Sequence, residues 1–328
     1  MDLRALLAEG ARFDAEFAGG LSNHRPMALL ALARLGAPAR RIEAFAQRYS
    51  RRLQAAPPHR PWPSGEPWTS RLGQRQAWPL YRGYFRQRLR SEGSEAVLRQ
   101  ALPRLMQGCG GAAFHGLIRV AYAVHSGPAP ERADALAYWA CRWLDLGRAG
   151  GPDVGREPNP ETLLRRLRAT PSDAGLIFLR MQAAAQHPPF QDTVAQLRVG
   201  TDTLPQLARL AAQAFAASGN FTALHLVTSA HAVRVLLPYL AAPLAAVAAY
   251  WRAYAAAVCA SGLRAGAAPP PQPWPVLVAA ALASDDEHLI KLVDSCREEQ
   301  QAYGYGEPGA WQQAATRAVL DAAPTATS

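Results

Sequence analysis

The sequence predicts an all-α fold, a single compact multi-helix domain spanning residues 1–328 with a buried metal site between helices. Three observations predict it. Alanine and leucine recur at helical spacing, alternating β-branched strand patterns are nearly absent, and several histidines fall on apolar helical stretches. With 49% hydrophobic residues in 328, the chain has enough apolar surface for a substantial core.

Taken in order, "MDLRALLAEGARFDAEF" carries acidic residues and no long apolar run, so no signal peptide is expected and a cytoplasmic location is. "PMALLALARLGAP" predicts a helix that starts near Pro26 and stops at Gly36 and Pro38, with Ser22 or Asn23 placed to cap it. Three stretches rich in proline and glycine, 55–68, 147–160 and 265–275, read as loops, because proline cannot continue a helix and glycine weakens one. Between Arg40 and Arg104 lie 14 arginines with interleaved aromatics, as in "AWPLYRGYFRQRLR". A single-strand stacking groove uses such residues. The formal charge of +10 is nevertheless diffuse, so solvated helix faces are expected and no nucleic-acid partner.

"GGAAFHGLIRVAYAV" reads as an almost wholly apolar helix. Leu210 to Val233 is the longest uncharged tract, yet it holds Gly219, Asn220, two histidines and several hydroxyls; it predicts buried helix and no membrane span, which needs ~20 uniformly apolar residues. Asn220 is placed to cap "FTALHLVTSAHAVRVLL", which Pro238 ends. Ser284 and Glu287 match the capping-box pattern, and Asp285 and Asp286 add negative charge where the helix dipole favours it, so His288 falls in the first or second turn. No repeat of fixed period is present. A two-lobed arrangement split near residue 155 is the alternative to one domain.

Cys109, Cys141, Cys259 and Cys296 are far apart with no Cys-x-x-Cys pair, which signals neither a zinc ribbon nor a disulfide framework and predicts reduced core thiols. "GYGEPG", Gly304 to Gly309, matches a dinucleotide fingerprint literally, but it follows a helical pattern and contains Pro308, so it reads as a loop.

The chemistry concentrates on a single lysine. Lys291 is the only one in the chain, and the other basic side chains are all arginine. His288, Lys291, Leu292 and Ser295 form one helical stripe, in which a charged amine is costly unless it is paired, neutral or modified. Where only positive charge is wanted this sequence uses arginine, so the lysine points to an amine with an adjustable pKa. It would serve in a Schiff base, as a general base, or as a carbamate that ligates metal. The alternative is a lysine that snorkels to solvent.

His24, His115 and His225 each lie at or within an apolar helical segment, and with His288 and Lys291 they make a candidate set drawn from four helices. Neutral imidazoles suit iron, zinc, copper or nickel, and helical bundles build such sites from facing helices. His231 is six residues beyond His225 and so about 120° around the helix, which favours His225, with Thr228 and Ser229 as supporting groups. His125 is expected to end a helix, and His59 and His187 to be exposed in loops.

"NHRPMALLALARLGA", "FHGLIRVAYAV", "FTALHLVTSAHAVRVLLP" and "SDDEHLIKLVDSC" together resemble the questin oxidase-like family, over residues 23 to 296 and in the family's order. The resemblance implies an all-helical oxygenase that opens an anthraquinone-type ring of an aromatic polyketide, by Baeyer-Villiger-like or dioxygenative cleavage, with NADPH as electron donor. It also implies a metal site of His24, His115, His225, His288 and a carboxylated Lys291. The expectation is therefore a non-haem Fe(II) enzyme acting on a small aromatic substrate and dioxygen, with His288 and Lys291 at its catalytic edge. Trp139, Trp143, Tyr250 and Trp251 are candidates to face a flat substrate, core packing being the more ordinary role. The competing readings are a zinc-dependent hydrolase on the same residues, a metal-free helical binding protein with Lys291 exposed, and a Schiff-base enzyme.

Overall fold

Sixteen α-helices make up most of the residues described by the computed structural model, which are 2–147, 155–167, 169, 175–264, 266–304 and 309–322. The all-α expectation holds with one small exception. Glu16–Phe17 and Leu21–Ser22 form an antiparallel hairpin, with Glu16 opposite Ser22 and Phe17 opposite Leu21. Its turn runs through Ala18, Gly19 and Gly20, all at positive φ, a backbone region in which glycine carries no steric penalty.

Local signals decide where the helices begin. Asn220 caps the Phe221–Leu236 helix as expected, its Oδ1 accepting the N–H groups of Thr222 and Ala223 at 2.9 and 3.1 Å. The tract 210–233 is two helices, because Gly219 adopts a left-handed conformation (φ 61°) and ends Thr203–Ser218. For the Arg25–Arg34 helix the cap position is His24, while Asn23 Oδ1 accepts the Arg25 N–H at 3.0 Å. The Ser284–Glu287 capping box does not form. Asp286 occupies the cap and accepts the His288 N–H at 2.8 Å, while Ser284 accepts from Asp286 one step earlier. The chain starts the Glu287–Tyr303 helix two residues later than the box would place it, so Glu287 is freed to point inward.

Four helices form a closed ring of pairwise packing. Arg25–Arg34 packs on His115–Ser126 and on Glu287–Tyr303, and Phe221–Leu236 packs on the same two. All four run in the same direction. His24, His115, His225 and His288 lie at their starts, and contacts among Arg34, Tyr122, His231 and Asp294 join them two or three turns further on. The remaining helices cover this ring, and the core is continuous from Leu6 to Ala318.

The four cysteines are free and buried. Nine of the 14 arginines between 40 and 104 are in ion pairs with carboxylates of this chain, among them Arg82 and Arg86 with Asp134 and Arg75 with Glu16. No helix among the described residues is long and apolar enough to cross a membrane. Residues 305–308 of the "GYGEPG" motif and half of the 147–160 stretch, residues 148–154, lie outside the described residues.

Candidate metal centre

The ring of four helices brings together all five residues singled out in the sequence. The His24 ring lies 4.6 Å from those of His115 and His288, centroid to centroid, and His115 lies 4.8 Å from His225. Lys291 Nζ is 2.9 Å from His24 Nδ1. His24, His115, His225 and Lys291 are buried, Lys291 to 1% exposure, which excludes the snorkelling and surface-exposed readings of this lysine. His288 is partly exposed and borders the cavity described below.

Two of the four imidazoles are oriented by backbone carbonyls of their own segments. His225 Nδ1 donates to the Phe221 carbonyl at 2.7 Å, one turn back in the helix. His115 Nδ1 donates to Ala112 O. Ala112, Ala113 and Phe114 present that carbonyl by adopting three successive left-handed conformations (φ 47°, 53° and 68°), a strained arrangement for residues with a Cβ, worth roughly 1–2 kcal/mol each. Gly111, just before them, is fixed as glycine because a Cβ there would stand 1.6 Å from the Arg142 carbonyl oxygen. A carbonyl only accepts, so both Nδ1 atoms carry the proton and both Nε2 atoms are lone pairs. These two Nε2 atoms face each other at 3.3 Å. Two lone pairs at that distance repel, and a shared cation relieves the repulsion.

Electrostatics point the same way. Burial, reinforced by the neighbouring basic groups, holds His24 and His115 well below the ordinary imidazole value and pushes His225 down to about 3. Burial also lowers the Lys291 ammonium to about 8, against the opposing pull of Glu287 and Asp286. His24, His115 and His225 are therefore neutral at ordinary pH, the form in which imidazole binds metal. The positive ends of four helix dipoles converge here and favour an anionic group beside the donors.

One residue was not singled out in the sequence. Glu287 is buried, and its carboxylate, with a ring nitrogen each from His24 and His288, forms a group whose ligating atoms all lie within 4.8 Å of one another. Its signal was masked, because Ser284-x-x-Glu287 reads as a capping box.

Several supporting roles fall elsewhere. Thr228 Oγ1 bonds the carbonyls of Leu224 and His225, and Ser229 bonds Tyr250, so neither reaches an imidazole nitrogen. His231 turns away as the helical spacing predicts, to Glu299 at 2.9 Å. His125 lies near the end of its helix, and His59 and His187 are exposed.

The cluster opens onto a cavity of about 330 Å³. His24, His115, His225 and His288 form its floor, and Phe17, Phe178 and Phe221 supply the aromatic surface. None of Trp139, Trp143, Tyr250 or Trp251 lines it. Trp139, Tyr250 and Trp251 are core residues instead, with Trp251 Nε1 donating to Val194 O.

The family model described as questin oxidase-like matches residues 21–296, most of the chain, and the chain belongs to that family. Membership implies an oxidoreductase, an oxygenase acting on anthraquinone-type polyketides. Among curated proteins none matches.

Proposed function

We propose, with membership of the questin oxidase-like family as the premise, that this chain is a non-haem iron oxygenase that cleaves a ring of an anthraquinone-like polyketide at the histidine cluster. The observation that carries this reading is the pair of unprotonated Nε2 atoms of His115 and His225, opposed at 3.3 Å with both Nδ1 atoms engaged by carbonyls. His24, His115, His225 and His288 are the proposed nitrogen ligands of one metal ion. Iron held there would supply the one-electron chemistry that lets dioxygen react with an electron-rich ring.

Lys291 is proposed to supply the anionic ligand as a carbamate. A neutral amine attacks carbon dioxide, a carbon–nitrogen bond forms and one proton leaves; an ammonium held down to about 8 keeps a usable fraction of amine at neutral pH. His24 Nδ1, 2.9 Å from Nζ, would hold the amine in position. A second reading assigns the anionic ligand to Glu287, which the 4.8 Å grouping with His24 and His288 favours. Phe17, Phe178 and Phe221 would hold the flat ring system above the imidazoles and exclude water from it.

NADPH is proposed as electron donor on the family's behalf, with no residues of this chain assigned to it. Insertion of one oxygen atom consumes one NADPH and releases water, whereas dioxygenative cleavage places both atoms in product and consumes none. Labelled dioxygen with parallel NADPH measurement separates the two.

Metal stoichiometry, measured by plasma mass spectrometry on untagged protein never exposed to chelator, is the primary test. Near one iron per chain is expected. Zinc that cannot be replaced by iron with gain of oxygen uptake moves the reading to a hydrolase. Lys291→Arg keeps a cation but cannot be carboxylated, so it should lose iron and turnover; if Lys291→Arg is unaffected and Glu287→Gln loses the iron, Glu287 is the anionic ligand.

A further inference from the structure

The cavity wall carries a cation that neither the metal centre nor the fold uses. Among the described residues, four ionisable residues other than histidine line the cavity: Glu16, Arg52, Arg180 and Glu287. Glu16 is neutralised from behind by Arg75 and Arg142. Arg52 faces Glu287 at 3.5 Å and lies over the rings of Phe17 and Tyr49. Arg180, on the Ile177–Ala185 helix, has no carboxylate within ion-pair distance among the described residues. Its Nε is shielded from solvent and has no hydrogen-bond partner, and of the buried side-chain atoms in that condition it is the one on a cavity-lining residue. The shielded Nε leaves the guanidinium without an acceptor on the protein side, and its terminal nitrogens, which no described residue engages, are the atoms an oxyanion would pair with.

The rim supplies the rest of the shape. Leu21, Leu176 and Phe221 line the cavity and are 50%, 37% and 53% exposed, half of the large apolar residues that the described chain leaves in water. A ligand that covers them is apolar along its body and reaches Arg180 with an acidic substituent.

We propose that the substrate is an aromatic carboxylate, its ring system against Leu21, Leu176 and Phe221 and its carboxylate paired with Arg180, which sets specificity. The aromatic part rests on the function proposed above; the carboxylate part rests on Arg180 alone. One oxyanion on the guanidinium also completes the charge balance of the cavity wall, in which every other carboxylate and arginine already faces an opposite charge.

The test is equilibrium binding to the full chain, by calorimetry, of an anthraquinone carboxylate and of its uncharged methyl-substituted counterpart, with metal content measured on the same samples. The native protein should prefer the carboxylate by about tenfold or more, as a charge-assisted pair allows. Arg180→Gln should abolish the preference while leaving the neutral probe's affinity and the metal content unchanged, and Arg180→Lys should restore part of it. Equal binding of the two probes by the native chain, or a preference that survives Arg180→Gln, overturns the carboxylate assignment and leaves the aromatic oxygenase standing. If neither probe binds, both fall.

Discussion

The same four helices carry two buried polar layers, and they handle charge in opposite ways. At the helix starts lie His24, His115, His225, His288 and Lys291, all basic, most of them desolvated and driven toward their neutral forms. Two or three turns further on lie Arg34, Arg234, His231, Asp294 and Glu299, matched among themselves. Arg34 Nε contacts both Asp294 oxygens at 3.1 Å, Tyr122 donates to Asp294 at 2.8 Å, and Arg234 and His231 share Glu299 at 2.6 and 2.9 Å. The inner layer is balanced in charge within the chain, although Glu299 Oε2 is left without a hydrogen-bond partner among the described residues. The outer layer has donors and too little charge to oppose them, which on the readings proposed above leaves a cation and an anion to come from outside. Burial alone therefore does not mark function; burial without internal compensation does.

The contrast breaks most sharply at Asp294. Asp294→Ala strands Arg34 and Tyr122 and should cost about 3 kcal/mol of unfolding free energy, read by denaturant titration, while the folded fraction keeps its metal. A stability loss near zero would mean that the inner layer is not held by pairing.

The next largest effect is acid. The folded-state values of His24, His115 and His225 lie below the ordinary 6.5, so the unfolded chain takes up protons first as pH falls. Chelator-stripped protein should thus lose stability below pH 6.5 and none above it on account of these groups. His225, at about 3, should account for about 2 kcal/mol at pH 5, an amount that His225→Ala should remove from the pH profile. Bound metal opposes protonation and should flatten the same curve. If the stripped chain is as stable at pH 5 as at pH 7, the outer layer is not the neutral nest described here.

Added bicarbonate sharpens the contrast further. Metal occupancy of dilute protein should rise with bicarbonate, more strongly as pH approaches 8, where the Lys291 amine is freed, and Lys291→Arg should be insensitive. The smallest effect belongs to both layers equally. Asn220→Ala removes the cap of the helix that carries His225 and His231 and should cost about 1 kcal/mol without changing metal stoichiometry.

Much of this was legible in the sequence, for identifiable reasons. The helices that matter are long, apolar and punctuated by proline, glycine or an asparagine cap, and helical spacing separates His225 from His231 without a structure. The unique lysine was conspicuous because arginine fills every other basic position. What was not legible depended on contacts between distant segments. Glu287 carries the same local pattern whether it caps a helix or faces a cavity, and the choice is made when Asp286 takes the cap. The three left-handed residues before His115 have no signature, since alanine and phenylalanine ordinarily avoid that conformation. Trp139, Tyr250 and Trp251 took the more ordinary role of core packing, and aromatic content alone says nothing of which side of a helix faces a cavity. Arg180 looked like one arginine among many until its neighbours could be inspected.

The four histidines come from segments widely separated along the chain, yet their rings meet at one point. Contacts between such distant segments are entropically expensive and are favoured only once the surrounding helices have docked. During synthesis, then, a ribosome-bound chain carries histidines for most of its length before the cluster can assemble, and Lys291, the last residue of the cluster, follows all the others. On the proposed function, a redox-active ion would be captured only by a chain whose ring of helices has already closed, so half-made protein would hold no iron with which to injure itself.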